Sequence, residues 1–593
     1  MKELKALKNL GYELFLKDNS IHYMYKGKGQ PDRILTGHLL TVIKKHKRLV
    51  KKLLIGIINS PNQHPKMVAV YFEEIKQKEK GITNYFVAWT NGIVTKTATD
   101  LQDIADILAD ENILKIFFDA ATSVYSLEGN GYLIKNYTDI LLMDQLLTND
   151  SSSINDVEKL VKKYSPVNSI NNLGISVCFS DEMRDWNFEI IAKRSEAILA
   201  LYLILAEKIE ESYLEEVLDR EINALPALVK LKKDGFFFDY NGWEIQLKKM
   251  QEECNELEKQ IVADLNAPEL NIYSSSELLA TLLKNGINVV NTAEECLSSC
   301  EDAYPVIKKI GIVKKMSKKI KTFGERLKEL IDKDGRIRAN WKLNGTNTGR
   351  MACNSPNLQG MPAKAKPYFH AGKGHKLVIA DYSQIELRVL ASLSKDKCLV
   401  ESFMNNDDLH KKAVALILSK PLEEVSDAER QIAKTANFGL IYGMTAASLS
   451  RKVKAKYGVN MSIEEASMFR NQYFRAYSGV LAFQDKMLQE AEIVTAGGRR
   501  WSNLEPGSIK RYNYPVQGTA AEGLKEALAV LLSRIKEDWL LVNVIHDEIV
   551  LEVPEEAANS AAKVLEESMI EGMVRLIPNV PILVDVKISD FWC

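Results

Sequence analysis

Two apolar, largely β-branched runs in this chain end in acids. Leu377, Val378, Ile379 and Ala380 lead directly into Asp381, and Val544 and Ile545 are separated from Ile549, Val550 and Leu551 by His546, Asp547 and Glu548. Short runs of this kind suit buried strands. The first predicts a strand that delivers a carboxylate beside the start of a helix, where oxygen ligands can hold a hard cation. The second predicts a tight hairpin with its acids at the tip. Taken singly, Asp381 reads as a helix cap and Asp547 as a turn residue. Taken together, two strand-end carboxylates are what a two-cation site needs to clamp the attacking and leaving oxygens of an in-line phosphoryl displacement.

A third segment carries complementary chemistry. Arg430, Lys434, Phe438 and Tyr442 recur every four residues, so one helical face presents two cations and then two aromatic rings. Cations suit phosphates, and rings suit a base and its sugar, so a triphosphate could lie along this face. The net charge of −1 decides nothing, but its distribution does. Residues 1–52 hold 13 Lys/Arg against 4 Asp/Glu, and residues 305–350 hold 14 against 4, the latter including Lys308, Lys309, Lys314, Lys315, Lys318, Lys319 and Lys321. Two basic patches on a neutral chain look like a polyanion track; solvated lysine faces are the plainer explanation for either alone.

At 593 residues, with 46% hydrophobic and 26% charged residues, the chain can bury several cores and is neither disordered nor a small disulfide scaffold. The seven cysteines are scattered, and Cys296 and Cys300 have no second pair to complete a zinc site, so reduced thiols are expected. The longest apolar run, Ala197 to Ala206, is about half of what a membrane span needs. With no signal-peptide pattern at its start, the chain is expected to be cytoplasmic. Residues 1–54 read as a basic segment of unknown role that mixes a helix-like pattern with turns. Leu54 to Asn59, Met67 to Phe72 and Tyr85 to Trp89 read as strands of an α/β block over 55–205. Between Ser212 and Leu265, long helices are interrupted by an extended stretch at Gly235, Phe236, Phe237 and Phe238, with further helices to about Ile331. Single helices are predicted from Ser426 to Tyr442 and from Ile463 to Ala491.

In order and nearly letter for letter, the runs Asp381 to Ala391, Ala433 to Gly443 and His546-Asp547-Glu548 resemble the polymerase motifs of family A DNA polymerases. Thr348-Gly349-Arg350, then Pro356-Asn357-Leu358-Gln359, and Gln517-Gly518-Thr519-Ala520-Ala521 support the likeness. It implies a multidomain α/β right hand over 206–593, with thumb about 240–330, palm about 336–395 and 500–593, and fingers about 396–499. It also implies a template-directed DNA polymerase that adds deoxynucleotides to a primer 3′-hydroxyl in replication or repair. Asp381 and Asp547, with the Tyr382 carbonyl and Glu548 beside them, would ligate two Mg²⁺, with Mn²⁺ as a substitute. Lys434 would be catalytic. Arg430, Lys434, His410, Phe438, Tyr442 and Gln384 would bind the nucleotide, and Glu386 would be the steric gate against a ribose 2′-hydroxyl. Arg350, Asn357, Gln359, Gln517 and His546 would contact primer-template DNA, together with Lys314, Lys315, Lys318 and Lys319.

Departures from the family pattern carry two further expectations. No room is left for a 5′-nuclease domain, so flap removal is not expected. The block 55–205 resembles the ribonuclease H-like 3′-5′ exonuclease domain, yet most of its acids are missing. Tyr71 stands where the first Asp belongs, Glu73 remains, Ser123 replaces the next Asp, and Ile191 and Ser195 replace the last Tyr and Asp; Asp119 and Asp144 are the nearest other acids. A retained scaffold without proofreading is expected. A monomer is expected, with residues 1–54 available to a replisome partner and no membrane association. Two rivals remain: a single-subunit RNA polymerase, against which Glu386 and Phe438 argue, and an idle DNA-binding scaffold, against which the joint presence of Asp381, Asp547, Arg430 and Lys434 argues.

Overall fold

In the computed structural model, the residues described are 12–17, 20–25, 67–77, 82–92, 94–150, 154, 156–164, 188–298, 300, 301, 303–418, 420–457 and 459–592. The expected strand at Leu54 to Asn59 and most of the basic segment 1–54 lie outside them. Within that segment, Tyr12–Lys17 and Ser20–Tyr25 form an antiparallel hairpin. Its apolar residues alternate, pairing Tyr12 with Tyr25, Leu14 with Tyr23 and Leu16 with Ile21, which is the period of a strand and not of a helix.

The first mixed sheet has five strands in the order Thr95–Ala98, Ile82–Thr90, Met67–Gln77, Leu114–Phe117, Tyr137–Asp139. Met67–Gln77 pairs antiparallel with Ile82–Thr90 and parallel with Leu114–Phe117. Both strands run longer than Met67 to Phe72 and Tyr85 to Trp89, because pairing across the hairpin carries polar residues such as Lys76 and Thr83 into the ladder. The Phe188–Glu211 helix, which contains the apolar run Ala197 to Ala206, packs on this sheet through buried Ala197, Ile198, Leu201 and Leu205. Among the described residues, no helix is long and apolar enough to cross a membrane, and Cys254, Cys296, Cys300, Cys353 and Cys398 are free thiols.

The second sheet is antiparallel, in the order Leu540–Ile545, Glu548–Pro554, His375–Tyr382, Val584–Ser589. Helices Lys510–Leu532 and Ala558–Val574 pack together beside it. The Glu215–Asp234 helix touches both the Lys510–Leu532 helix and the first domain's Ala120–Gly129 helix, so it forms the spine between the two α/β blocks. The extended break after it is Phe236–Phe237, and the Tyr240–Asp264 helix follows. Tyr240–Asp264, Ser275–Lys284 and Pro305–Phe323 enclose a separate apolar core around Cys254, Ile261, Leu282, Ile307 and Val313. The stretch Ile463 to Ala491 is two helices, Ile463–Ala476 and Ser478–Gln489. The chain turns at Tyr477, where the Asp396 carboxylate accepts from Gly479 N at 2.8 Å and fixes the second helix start.

A bidentate pair ties the extended break to the second sheet. Arg336 donates to both oxygens of Glu552 at 2.8 Å and to the Gly235 carbonyl at 3.0 Å, while Gly372 N also donates to Glu552. Glu552 is 1% exposed. Arg336→Met should therefore leave a buried charge unpaired and lower stability by about 3–5 kcal/mol, read as a drop in urea midpoint at unchanged slope; an unmoved midpoint would contradict the pairing.

Candidate active site

Antiparallel register places the acids. Asp381 stands opposite Glu548 on one neighbouring strand and Asp585 on the other. Ile545 pairs with Glu548, so His546 and Asp547 form the two-residue tip of the expected hairpin, with His546 at φ 53° as such tight turns require. Tyr382 N donates to the Asp547 carbonyl at 3.3 Å, joining the tip to the strand that carries Asp381. The Tyr382 ring lies beneath, its hydroxyl donating to the Met569 carbonyl at 2.5 Å.

This crowding has an electrostatic consequence. Asp381 is exposed to the cavity, yet the adjoining protein, and then Asp547, Glu548 and Asp585, push its carboxyl up to about 7. Desolvation also raises Asp547 and Glu548. Repelling oxygen donors of this kind are a fit for divalent cations, whose charge removes the repulsion. Among the described residues, no three His, Cys, Asp or Glu side chains converge as a ready-made cation cage. A cation at Asp381 and Asp547 must therefore share its shell with main-chain, water or substrate oxygens. Glu548 is drawn aside: its Oε1 accepts from Trp592 Nε1 at 2.9 Å, and it does not line the cavity.

The facing wall is the Asp427–Ile441 helix, opened by a capping box in which Ser426 and Glu429 bond reciprocally. It sends Arg430 and Lys434 into a cavity of about 470 Å³ that is also lined by Asp381, Tyr382, Gln384, Glu386, Arg350, His410, Ala520, Ala521, His546 and Asp547. Arg430 Nε donates to Asp408 at 2.7 Å, which aims its guanidinium. Asn437 Nδ2 donates to His410 Nδ1 at 3.0 Å, so that nitrogen is the acceptor and a neutral ring carries its proton on Nε2. Burial, with Arg430 and Lys434 nearby, pushes His410 down to about 4 despite Asp408. Tyr442 forms the helix C-cap, and its hydroxyl and the Arg350 guanidinium both donate to Glu386. The side chain of Phe438 lies outside the described residues.

Several expected contact residues lie off this cavity. Asn357 caps a short helical turn by accepting from Gly360 N at 3.0 Å. Gln359 donates to the Met351 and Val544 carbonyls at 3.2 and 3.1 Å, bracing the hairpin strand. Gln517 sits one turn before Ala520 on the Lys510–Leu532 helix. Lys314, Lys315, Lys318 and Lys319 lie on Pro305–Phe323; Lys315 pairs with Glu294 at 2.7 Å in an exposed contact. Sequence reasoning missed Asp585, Asp408 and Asn437. Only Asp585 had a local signal, as the acid of an alternating strand.

A second cavity, of about 450 Å³, opens beside the first sheet and is lined by Tyr71, Glu73, Phe118, Asp119, Ser123, Glu158 and Arg194. Arg194, unremarked in the sequence, donates to the Tyr71 hydroxyl at 2.6 Å and to Glu158 at 2.7 Å, and stands over the Tyr71 ring at 5.1 Å. Tyr71 in turn donates to Glu73, and desolvation raises its hydroxyl well above the usual range. Ser195 is fully buried and bonds the Ala192 carbonyl within its own helix. Asp144 is bound by Lys163 and Tyr164 away from the cavity. One guanidinium, Arg194, thus sits among the five acids that line this cavity, Glu73, Glu74, Asp119, Asp156 and Glu158.

The fold and the acid-bearing sheet opposite a cationic helix define a right-hand polymerase. Residues 242–593 match the sequence profile of DNA polymerase family A. DNA polymerase I of Aquifex aeolicus (strain VF5) is 32% identical over 430 residues, 69% of this chain and 72% of that protein. DNA polymerase I of Pseudomonas aeruginosa is 32% identical over 437 residues, and the thermostable DNA polymerase I of Thermus aquaticus 35% over 324; this chain spans 47% and 38% of their lengths. The polymerase domain of Pol1 from M. smegmatis, solved with DNA primer-template and dNTP, superposes with a TM-score of 0.77 at 23% identity, covering 88% of this chain and 95% of that one. The chain belongs to DNA polymerase family A. Membership supports template-directed DNA synthesis, and the metal dependence general to the family agrees with the acids at the strand ends.

The His410 environment has a measurable consequence. Its folded value, about 4, lies below the ordinary 6.5, so between these pH values the unfolded chain takes up a proton that the folded ring refuses. The stabilising contribution of the neutral ring is present above 6.5 and is lost as pH falls toward 4. His410→Gln should flatten the fall in stability across that window relative to the parent, measured by denaturant titration at successive pH values; identical slopes would contradict a buried neutral imidazole.

Proposed function

We propose that this chain extends a DNA primer by attack of its 3′-hydroxyl on the α-phosphate of a template-paired deoxynucleoside triphosphate, releasing pyrophosphate, and that it does so without proofreading. The observation that carries the reading is the single cavity in which Asp381 and Asp547 face Arg430, Lys434 and His410. Asp381 and Asp547, with the Tyr382 carbonyl, would hold two Mg²⁺ ions, or Mn²⁺ in their place, with Glu548 at the margin. Divalent cations bound there would lower the pKa of the primer hydroxyl and steady the leaving oxygens. Arg430, Lys434 and the Nε2–H of His410 hold the triphosphate, and Lys434 meets charge that grows as pyrophosphate departs. Glu386, held by Arg350 and Tyr442, fills the space beside the sugar C2′ and excludes a ribose hydroxyl. Phe438 packs on the sugar, Tyr442 lies near the templating base, and Gln384 borders the nucleotide.

Arg350, Gln517, Asn357, Gln359 and His546 lie along the duplex, where donors can test pair geometry against minor-groove acceptors without reading sequence. Lys314, Lys315, Lys318 and Lys319 track product phosphates from the helical region 240–330, the thumb in this reading, with palm at 336–395 and 500–593 and fingers at 396–499. The block 55–205 is a degenerate exonuclease domain; Arg194 among Tyr71, Glu73 and Glu158 supports its loss of metal chemistry. Replication or repair in the cytoplasm, as a monomer with a partner site in residues 1–54, completes the proposal.

One gel assay tests both cavities: a 5′-labelled primer with matched or mismatched 3′ end on a longer template, in Mg²⁺, with and without deoxynucleotides. Extension of the matched primer without shortening of the mismatched one is expected. A descending ladder without nucleotides would overturn the loss of proofreading. Asp381→Ala and Asp547→Ala should each abolish extension while leaving duplex affinity near the parent value, and retained extension would sink the two-cation assignment.

A further inference from the structure

Behind the active cavity, where the Glu215–Asp234 helix meets the Lys510–Leu532 helix, lies an ionic cluster closed to solvent. Glu221 and Lys525 are 0% exposed, Arg499 is 2% and Asn344 3%. Lys525 Nζ donates to both Glu221 oxygens at 2.7 and 2.8 Å and to Asn344 Oδ1 at 3.0 Å. Arg499 Nη2 donates to Glu221 Oε1 and Asn344 Oδ1, each at 2.7 Å. At its edge, Arg220 adds bonds to Glu526 at 2.9 Å and to the Gly497 carbonyl at 3.0 Å. A buried ionic cluster of this kind stabilises a fold no better than apolar packing of the same volume, so stability alone does not account for it. What it does supply is fixed geometry.

The geometry it fixes belongs to the loop from Asn344 to Arg350. Gly345 N donates to the Arg350 carbonyl at 2.9 Å, Arg350 N to Thr346 Oγ1 at 3.1 Å, and Trp501 Nε1 to the Asn347 carbonyl at 3.0 Å. Gly349 has φ +79° and rests on the Arg499 guanidinium: a Cβ there would lie 2.8 Å from Arg499 Cζ. Arg499 is thus bonded to Glu221 on one side and forms the floor under Gly349 on the other. The next residue, Arg350, reaches Glu386 in the active cavity.

We propose that the Glu221–Lys525–Arg499–Asn344 cluster is a positioning device for sugar selection: it sets the Gly349–Arg350 backbone, and through Arg350 it holds Glu386 beside the incoming sugar. This rests on the reading of Glu386 as the sugar gate. Glu221 lies on the spine helix between the two α/β blocks, so selectivity is tied to a helix that never touches the nucleotide. Loss of the Glu221 charge removes one of the two acceptors that hold Arg499, loosens Gly349–Arg350 above it, and shifts the restraint of Glu386 toward Tyr442.

The test measures kcat/KM for a deoxynucleotide and the matching ribonucleotide on the full chain. Their ratio does not depend on the fraction of folded enzyme. Glu221→Gln should lower discrimination roughly tenfold, the size expected for residues coupled through one network. The charge-balanced double variant Glu221→Gln/Lys525→Met guards against a misfolded single variant and should lower it comparably. In a Glu386→Ala background, where the gate is already gone, Glu221→Gln should add nothing. If Glu386→Ala lowers discrimination but both cluster variants keep the parent ratio, the proposal falls and the gate reading stands. If Glu386→Ala leaves discrimination unchanged, both fall together.

Discussion

The rest of the structure depends on the crowding of like charges at one end of an antiparallel sheet. Pairing of His375–Tyr382 with both neighbours puts Asp381 level with Glu548 and Asp585, and the turn that leads into Glu548 brings Asp547 alongside. Protein around these groups weakens hydration, so their repulsion is not screened as it would be on an open surface, and Asp381 resists ionisation. Lys366, His546 and Arg350 offset part of that repulsion, and added positive charge would relieve the rest. The register supplies the negative half; the facing helix, with Arg430 and Lys434 set a turn apart, supplies a positive wall across the cavity. A polyanionic triphosphate with its cations is the ligand that satisfies both halves at once.

The second cavity meets a related problem differently. Glu73 and Glu158 approach one another beside Tyr71, and the chain supplies its own cation, Arg194, bonded to Glu158 and to the Tyr71 hydroxyl. An internal guanidinium cannot activate water or stabilise a leaving oxygen in the way exchangeable cations do.

Much of the central site was legible because its signals are local. The run Leu377 to Asp381 and the hairpin around His546 combine apolar strands with abrupt polar tips, and the Asp427–Ile441 helix announces itself through Ser426, Glu429 and the four-residue spacing of Arg430, Lys434 and Tyr442. The break at Phe236–Phe237 was equally clear from its glycine and aromatic residues. What stayed hidden depends on contacts across long stretches of chain. His410 and Asn437 are 27 residues apart, Arg499 and Asn344 155, and Lys525 and Glu221 304. Charges on amphipathic helices read as solvated faces unless the packing is known, so Glu221 and Lys525 gave no sign of burial. Gln359 shows the same limit from another side: its motif marks it for DNA but says nothing of its amide bracing the Met351 and Val544 carbonyls.

The most direct test of the central claim is a crystal structure of this chain with a dideoxy-terminated primer-template, the next correct deoxynucleoside triphosphate and Mg²⁺. The account predicts divalent cations held by Asp381 and Asp547 and triphosphate oxygens that meet Arg430, Lys434 and His410. A bound, paired nucleotide whose cations bypass either carboxylate, or whose phosphates lie away from that helix, would contradict it.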